Sequence, residues 1–224
     1  LKELHIDMAQ VEGIFISHEH SDHIAGLQQL LKRFDIPVYT KQGTWREIQD
    51  KLVVPKNQLI ELTKGSLTLG NLIVEPFAVS HDAADPIGIN VFSGKDKATV
   101  VTDTGIISDD ILHRIDDSTL LVLEANYDPH MLRFGPYQPF LKQRVASDEG
   151  HLSNEMAAQA LLMMKRPDFM QVILAHRSEN NNNAVLVTQT IGKMLVDGGV
   201  RIGPEMKLQH GQPNEIVSMQ SIKR

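Results

Sequence analysis

The chain has 224 residues, 22 Lys+Arg against 28 Asp+Glu, a formal net charge of −6 and no cysteine. That length suits one large domain with a substantial core. The absence of cysteine excludes disulfide scaffolds, cysteine zinc fingers and thiol nucleophiles, and the mildly acidic balance excludes a generally basic nucleic-acid module while leaving room for a local basic groove. No signal peptide and no membrane-spanning apolar run stands out, so a cytoplasmic location and no membrane partner are expected.

Leu1 stands where a Met would open a full chain, and Leu4, Ile6, Met8 and Val11 read as an element entered part-way, so the chain is read as N-terminally incomplete. Ile14-Phe15-Ile16 reads as a buried strand, and Ile24, Leu27, Leu30, Leu31 and Phe34 follow at helical spacing. Pro37-Val38-Tyr39 is a short strand. Thr44 and Glu47 have the form of a capping box for a helix running to about Leu52. Strands are expected over Leu59–Leu62, Leu67–Leu69, Leu72–Val79, Ile87–Phe92 and Thr99–Thr102, separated by turn signals at Lys64-Gly65, Gly70-Asn71, Asp85-Pro86 and Gly94-Lys95. Their even spacing predicts an antiparallel meander. Ser108 opens a short helix, and Leu120–Leu123 is a buried strand. Helices are expected over Pro139–Ser147 and Asn154–Lys165, the second capped by Ser153. A strand over Gln171–Ala175, a helix over Ala184–Val196 and tail strands near Met206–Leu208 and Glu215–Met219 complete the pattern. The mixture implies a layered α/β fold and one domain over residues 1–224.

Between the first strand and the first helix stand His18, His20, Asp22 and His23, a His-x-His-x-Asp-His pattern. His18 and His20 are two apart and face one side of an extended chain. Imidazole and carboxylate are ligands that zinc, manganese and iron accept. One turn cannot surround two ions. Further candidates each follow a predicted strand: His81, Asp103 and His176.

This ordered set, His18-Glu19-His20-Ser21-Asp22-His23, then His81, Asp103 and His176, resembles the metal motifs of the metallo-β-lactamase fold. The resemblance implies an αββα sandwich, here lacking its first N-terminal strands. It implies that His18, His20 and His81 hold one divalent ion, that Asp22, His23 and His176 hold a second, and that Asp103 bridges them. Val79–Gly88, Leu123–Leu132 and Gly150–Asn154 are similar to landmarks of the YycJ group (also called WalJ or VicX). Members of that group are described as DNA exonucleases acting from the 5′ end and encoded beside a cell-wall two-component system. The sequence departs from the group in three places: its Gly/Ser-rich opening strand is absent, Tyr127 stands where His is expected, and Arg177 follows the last metal His where Leu is usual.

The function so implied is phosphodiester hydrolysis on DNA. Two ions about 3.5–4 Å apart can hold a bridging hydroxide that attacks phosphorus, with Asp22 and Asp103 lowering the site's charge and orienting the water. Zinc or manganese suits the donors best, and iron also fits. His151, before a predicted helix start, is expected to donate to the phosphate or protonate the leaving oxygen, with Ser153 and Asn154 beside it in substrate binding; a local capping role is the other reading of His151. Asn126 and Asp128 are expected behind the ligands, orienting metal-bound His, or else in an Asx turn. Arg133, Lys142, Arg144 and Arg177 either line a path for the DNA backbone or are solvated charges. The same fold admits ester, thioester or lactone hydrolysis, and a non-catalytic protein tied to cell-wall signalling. The sequence leaves the oligomeric state open.

Overall fold

The computed structural model describes residues 2–63, 65–212 and 215–217. In chain order it begins with β1 (Ile14–Phe15), α1 (Ser21–Ile24), α2 (Leu27–Leu31), β2 (Val38–Thr40), α3 (Gln42–Gln49) and β3 (Leu59–Glu61). β1, β2 and β3 form a small parallel sheet in that order. The helix expected after the His-rich turn keeps its apolar spacing, but Ala25-Gly26 divides it into α1 and α2; a glycine inside a helix is destabilising by about 1 kcal/mol relative to alanine. Ile24, Leu27 and Leu31 still bury one face against Val38 and Ile48.

The capping box at Thr44 does not form. α3 starts three residues earlier, at Gln42 with Lys41 as its N-cap, and the buried Thr44 hydroxyl donates across the fold to the Asp85 carbonyl at 3.2 Å. β3 also leaves the expected meander. Its residues pair in parallel with β2, Val38 opposite Leu59 and Tyr39 opposite Ile60. Alternation of apolar residues marks a strand but does not name its neighbour.

The chain continues with β4 (Leu67–Leu69), β5 (Leu72–Ala78), β6 (Ile87–Ser93), β7 (Asp96–Val101), α4 (Asp109–Ile115), β8 (Leu120–Glu124), α5 (Pro129–Phe134), α6 (Pro139–Val145), α7 (Asn154–Met163), β9 (Met170–Ala175), α8 (Ala184–Asp197) and β10 (Met206–His210). These strands make a larger mixed sheet in the order β10-β9-β8-β7-β6-β5-β4. The antiparallel meander is its β4–β7 half. α5 was not foreseen, although Asp128 followed by Pro129 carries an N-cap and a proline at the first helical position. Of the strand expected over Glu215–Met219, residues 215–217 are irregular and the rest lie outside the described residues, as does Lys64 of the Lys64-Gly65 turn.

Side chains of both sheets, Phe15 and Tyr39 from one and Leu67, Leu69, Ile87 and Ile89 from the other, meet in one cluster. α2 and α3 cover the far face of the small sheet. α4, α7 and α8 bury Ile115, Leu161 and Ile191 against Leu121, Leu123, Val172 and Leu174 of the large one. The result is a helix–sheet–sheet–helix sandwich.

Strand direction positions the site. β5 and β7 are both antiparallel to β6, so they run the same way; β8 and β9 are parallel to β7. The chain therefore leaves β5, β7, β8 and β9 at one edge of the large sheet. Backbone bonds lock the exit loops together: Ile87 N donates to Ser17 O at 3.1 Å, Gly105 N to Ser80 O at 2.9 Å, and Asp82 N to Glu149 O at 3.0 Å. The first of these fastens the His-rich turn of the small sheet onto the same edge.

Candidate metal centre

His18 and His20 leave β1 and His81 follows β5. Their ring nitrogens converge, with His18 Nε2 3.1 Å and His81 Nε2 3.3 Å from His20 Nδ1. A second group lies beside the first. Asp22 Oδ2 is 3.6 Å from His23 Nε2 and 3.7 Å from His176 Nε2. Asp103 stands between the groups: Oδ1 is 3.3 Å from His176 Nε2 and 3.7 Å from His81 Nε2, and Oδ2 is 3.3 Å from His23 Nε2. All seven candidate ligands thus come together.

Two of them are held in backbone conformations that side-chain-bearing residues avoid. Asp103 has φ 58° and His176 φ 52°, each in the left-handed region that costs of order 1 kcal/mol or more. Both occur at the first turn after a strand, where the strain redirects a side chain toward the shared edge.

The other nitrogen of most of these rings is also held. Ser17 Oγ lies 3.1 Å from His18 Nδ1 and 3.2 Å from His23 Nδ1. The Gly150 carbonyl is 3.1 Å from His81 Nδ1. Glu124, fully buried at the end of β8, places Oε1 2.8 Å from both His151 Nδ1 and His176 Nδ1, while its Oε2 accepts from Leu152 N at 3.0 Å and Thr104 N at 3.3 Å. Asp82 lies farther off, its Oδ1 3.9 Å from His20 Nε2 and 3.5 Å from the converging His81 Nε2, and Arg144 grips its carboxylate with two nitrogens. Such partners fix ring orientation and tautomer.

The electrostatics suit cation binding. Burial, helped by the neighbouring imidazoles, pulls His18 down to about 2, so it keeps its lone pair at any working pH. Burial also lowers His23 and His81. Burial would raise Glu124, but hydrogen bonds from His151 and His176 outweigh it and bring it down to about 2. His176 is opposed by burial yet pushed up to about 10 by its bonds to Asp22 and Glu124; a cation taking its Nε2 must therefore displace a proton. The His176 bond holds Asp22 well below the usual carboxylate range. The residues fit divalent cations, and Asp103 Oδ2 shows why: it is buried with no hydrogen-bond partner among the described residues, a costly state for a carboxylate oxygen that a shared cation would relieve.

The remaining expected site residues divide. His151 packs against the ligands, its ring 5.1 Å from His81 and 5.3 Å from His176, and lines a cavity of about 990 Å³ with Asp22 and His176. Asn126 Nδ2 donates to the His176 carbonyl at 2.8 Å and lies 3.3 Å from its Nδ1. Asp128 instead caps α5, accepting from Met131 N at 2.8 Å, the turn-forming role rather than a place behind the ligands. Ser153 and Asn154 are corrected as substrate contacts. Ser153 is buried and its hydroxyl accepts from Met156 N at 3.2 Å as the cap of α7. Asn154 is fully buried and exchanges amide hydrogen bonds with Asn182 at 2.8 and 3.1 Å. Tyr127 packs in the core with Leu132 and Val145. Ser17, Asp82 and Glu124 were missed as partners of the ligands. Glu124 carried the signal used for Asp103, a carboxylate at the end of an apolar strand.

Gly150 belongs to this framework. A Cβ there would lie 2.3 Å from the carbonyl oxygens of Arg144 and Val145, while its own carbonyl holds His81. Gly150→Ala is expected to cost about 1–3 kcal/mol by overpacking, read as a Tm loss of about 2–10 °C, with weaker metal binding in the same preparation. An unchanged melting curve and metal affinity would mean the loop relaxes freely.

With this geometry in view, the family described as "Beta-lactamase superfamily domain" matches residues 2–176, and the chain belongs to that family, as a metal-dependent hydrolase of metallo-β-lactamase fold. The expected likeness to the YycJ group is borne out. The chain is 34% identical over 223 residues to "Exodeoxyribonuclease YycJ" of Bacillus anthracis, covering 99% of this chain and 84% of that protein. It is 30% identical over 227 residues to "Exodeoxyribonuclease WalJ" of Streptococcus pneumoniae serotype 2 (strain D39 / NCTC 7466), with the same coverage of 99% and 84%. Among solved structures, YhfI from Bacillus subtilis shares the fold at TM-score 0.64 and 16% identity, over 88% of this chain and 74% of that one. Among the described residues no helix is long and apolar enough to cross a membrane.

Proposed function

We propose that the chain is a dinuclear-metal phosphodiesterase acting on DNA, an exonuclease working from the 5′ end. The observation that carries the two-ion reading is Asp103, whose oxygens face both ligand groups and whose Oδ2 has no hydrogen-bond partner among the described residues. The relatives' printed names, both exodeoxyribonucleases, support DNA as substrate. Zinc or manganese matches the donors, with iron the third fit.

Bound ions supply positive charge that polarises a phosphodiester and acidifies a water molecule. The chain's own residues do the rest. Asp22 and Asp103 offset that charge and orient the attacking water. Glu124 fixes the Nδ1 proton of His151 at 2.8 Å, so Nε2 is the nitrogen that exchanges a proton with the leaving oxygen. The cavity is lined by Arg144, Arg177, Asn180 and Asn183 as well as Asp22 and His176, and the two guanidinium groups among them support a phosphate as ligand.

Arg177 Nη1 is buried with no hydrogen-bond partner among the described residues. A phosphate oxygen of the substrate would satisfy it. Hydrogen bonds to charged groups contribute about 1.5–3 kcal/mol, so Arg177→Ala is expected to raise the KM for an oligonucleotide roughly ten-fold or more while kcat stays near wild type. A fall in kcat with KM unchanged would remove Arg177 from binding.

The activity test uses a linear duplex labelled at either the 5′ or the 3′ end, with closed circular DNA beside it. Mononucleotides released first from the 5′ label, and intact circles, are expected. Release from the 3′ label, or nicked circles, would overturn the end-specific reading.

A further inference from the structure

Every phenylalanine, tyrosine and tryptophan of this chain is buried or half-buried except two. Phe134 is 67% exposed and Phe140 71%. They flank one elbow, Phe134 ending α5 and Phe140 near the start of α6. Folding does not explain leaving both rings in water.

A cation stands beside the first of them. The Arg133 guanidinium carbon lies 5.3 Å from the Phe134 ring centre, and the His130 ring 4.6 Å from it. Lys142 Nζ donates to the Arg133 carbonyl at 2.8 Å and so ties α6 to α5. Neither Arg133 nor Lys142 forms an ion pair among the described residues. On a chain of net charge −6, two cations without ion pairs on the same elbow as two exposed aromatic rings are a local reversal. The elbow also continues into the cavity: Tyr137, Leu141 and Arg144 line it together with His151 and His176, and Asn180 Nδ2 donates to the Tyr137 hydroxyl at 3.4 Å, joining the elbow to the loop after β9.

Aromatic rings interleaved with unpaired cations are what a single nucleic-acid strand needs, since every base offers a face for stacking and every linkage a negative charge. We infer that the α5–α6 elbow is a base-stacking platform, on which Phe134 and Phe140 take unpaired bases at the end of the DNA strand being cut while Arg133 and Lys142 hold the adjoining phosphates. The inference rests on the phosphodiesterase reading and adds to it the part of the substrate that lies outside the cavity. It also favours ends with unpaired bases over blunt duplex.

The test compares wild type with Phe134→Leu, Phe140→Leu, the double leucine variant and the double tryptophan variant. Both positions are exposed, so all four are expected to fold. The substrates are a duplex with a single-stranded 5′ tail and bis(4-nitrophenyl) phosphate, which has no base to stack. The double leucine variant is expected to lose about ten-fold or more in kcat/KM on the tailed duplex, the loss falling on KM, with hydrolysis of the small diester unchanged and the tryptophan variant restored. If wild type cuts DNA and the leucine variants cut it equally well, the platform is wrong and the phosphodiesterase reading stands. Equal losses on both substrates would also overturn the platform, since the damage would then lie in the catalytic site. If wild type hydrolyses neither substrate with zinc, manganese or iron present, the phosphodiesterase reading fails and the platform with it.

Discussion

Replacing Asp103 with asparagine is expected to abolish hydrolysis, by roughly a thousand-fold or more, while leaving the fold intact. Cation charge stabilisation contributes several kcal/mol to a reaction of this type, and about 1.4 kcal/mol is ten-fold in rate. Asp103 is the carboxylate that faces both ligand groups, 3.3 Å from His176 Nε2 through one oxygen and 3.3 Å from His23 Nε2 through the other. Asparagine keeps its volume and tolerates the left-handed backbone that Asp103 adopts at φ 58°; alanine would add strain to the loss of charge and blur the reading. Circular dichroism should therefore match wild type while bound metal falls. Retained activity with full metal content would show that Asp103 is not the shared ligand.

Glu124→Gln is the second large effect, and it differs in kind. Donors converge on Glu124 from His151, His176, Leu152 and Thr104, and both of its oxygens are used. A glutamine has one acceptor oxygen and must turn its NH₂ toward donors on one side. Leaving buried donors unpaired costs about 1–3 kcal/mol, and loss of a partner behind a metal ligand typically costs about 10–100-fold in affinity or activity. The variant is expected to melt lower and to bind metal more weakly together. His176 should also lose basicity, because the Glu124 bond is one of those that raise it. Metal titration and thermal denaturation on one sample check both. A variant as stable as wild type with full metal affinity would make Glu124 a bystander.

Asp103 and Glu124 both follow apolar strand residues, so both positions are legible in the sequence, whereas the partners that Glu124 meets are not. Asp103, His81 and His176 each follow an apolar run, and His18, His20, Asp22 and His23 lie within one turn. Residue type, strand ends and short spacing bring them into view, and the fold gathers them because β5, β7, β8 and β9 run the same way. The partners behind them are set by distances across the fold. Glu124 meets His176 and His151 across separations of 52 and 27 residues, and Arg144 meets Asp82 across 62. No local pattern signals such a meeting. The same limit explains Asn154, which stands near His151 in the sequence but is locked to Asn182, 28 residues away. Ser153 differs, since its bond from Met156 N at the helix start is local and follows from the sequence. Thr44 and β3 failed as Asn154 did, since the Asp85 carbonyl and β2 outcompeted the local alternatives.

If Asp103 joins the two ligand groups, one chain holds two cations. The most direct measurement is metal content by elemental analysis of protein purified and re-equilibrated with zinc or manganese, for wild type and Asp103→Asn in parallel. Two ions per wild-type chain, fewer than two in the variant, and hydrolysis that is lost with chelator and restored by metal are expected. One ion or none in an active wild-type protein, or an Asp103→Asn variant that keeps two, would show that Asp103 does not join two cations.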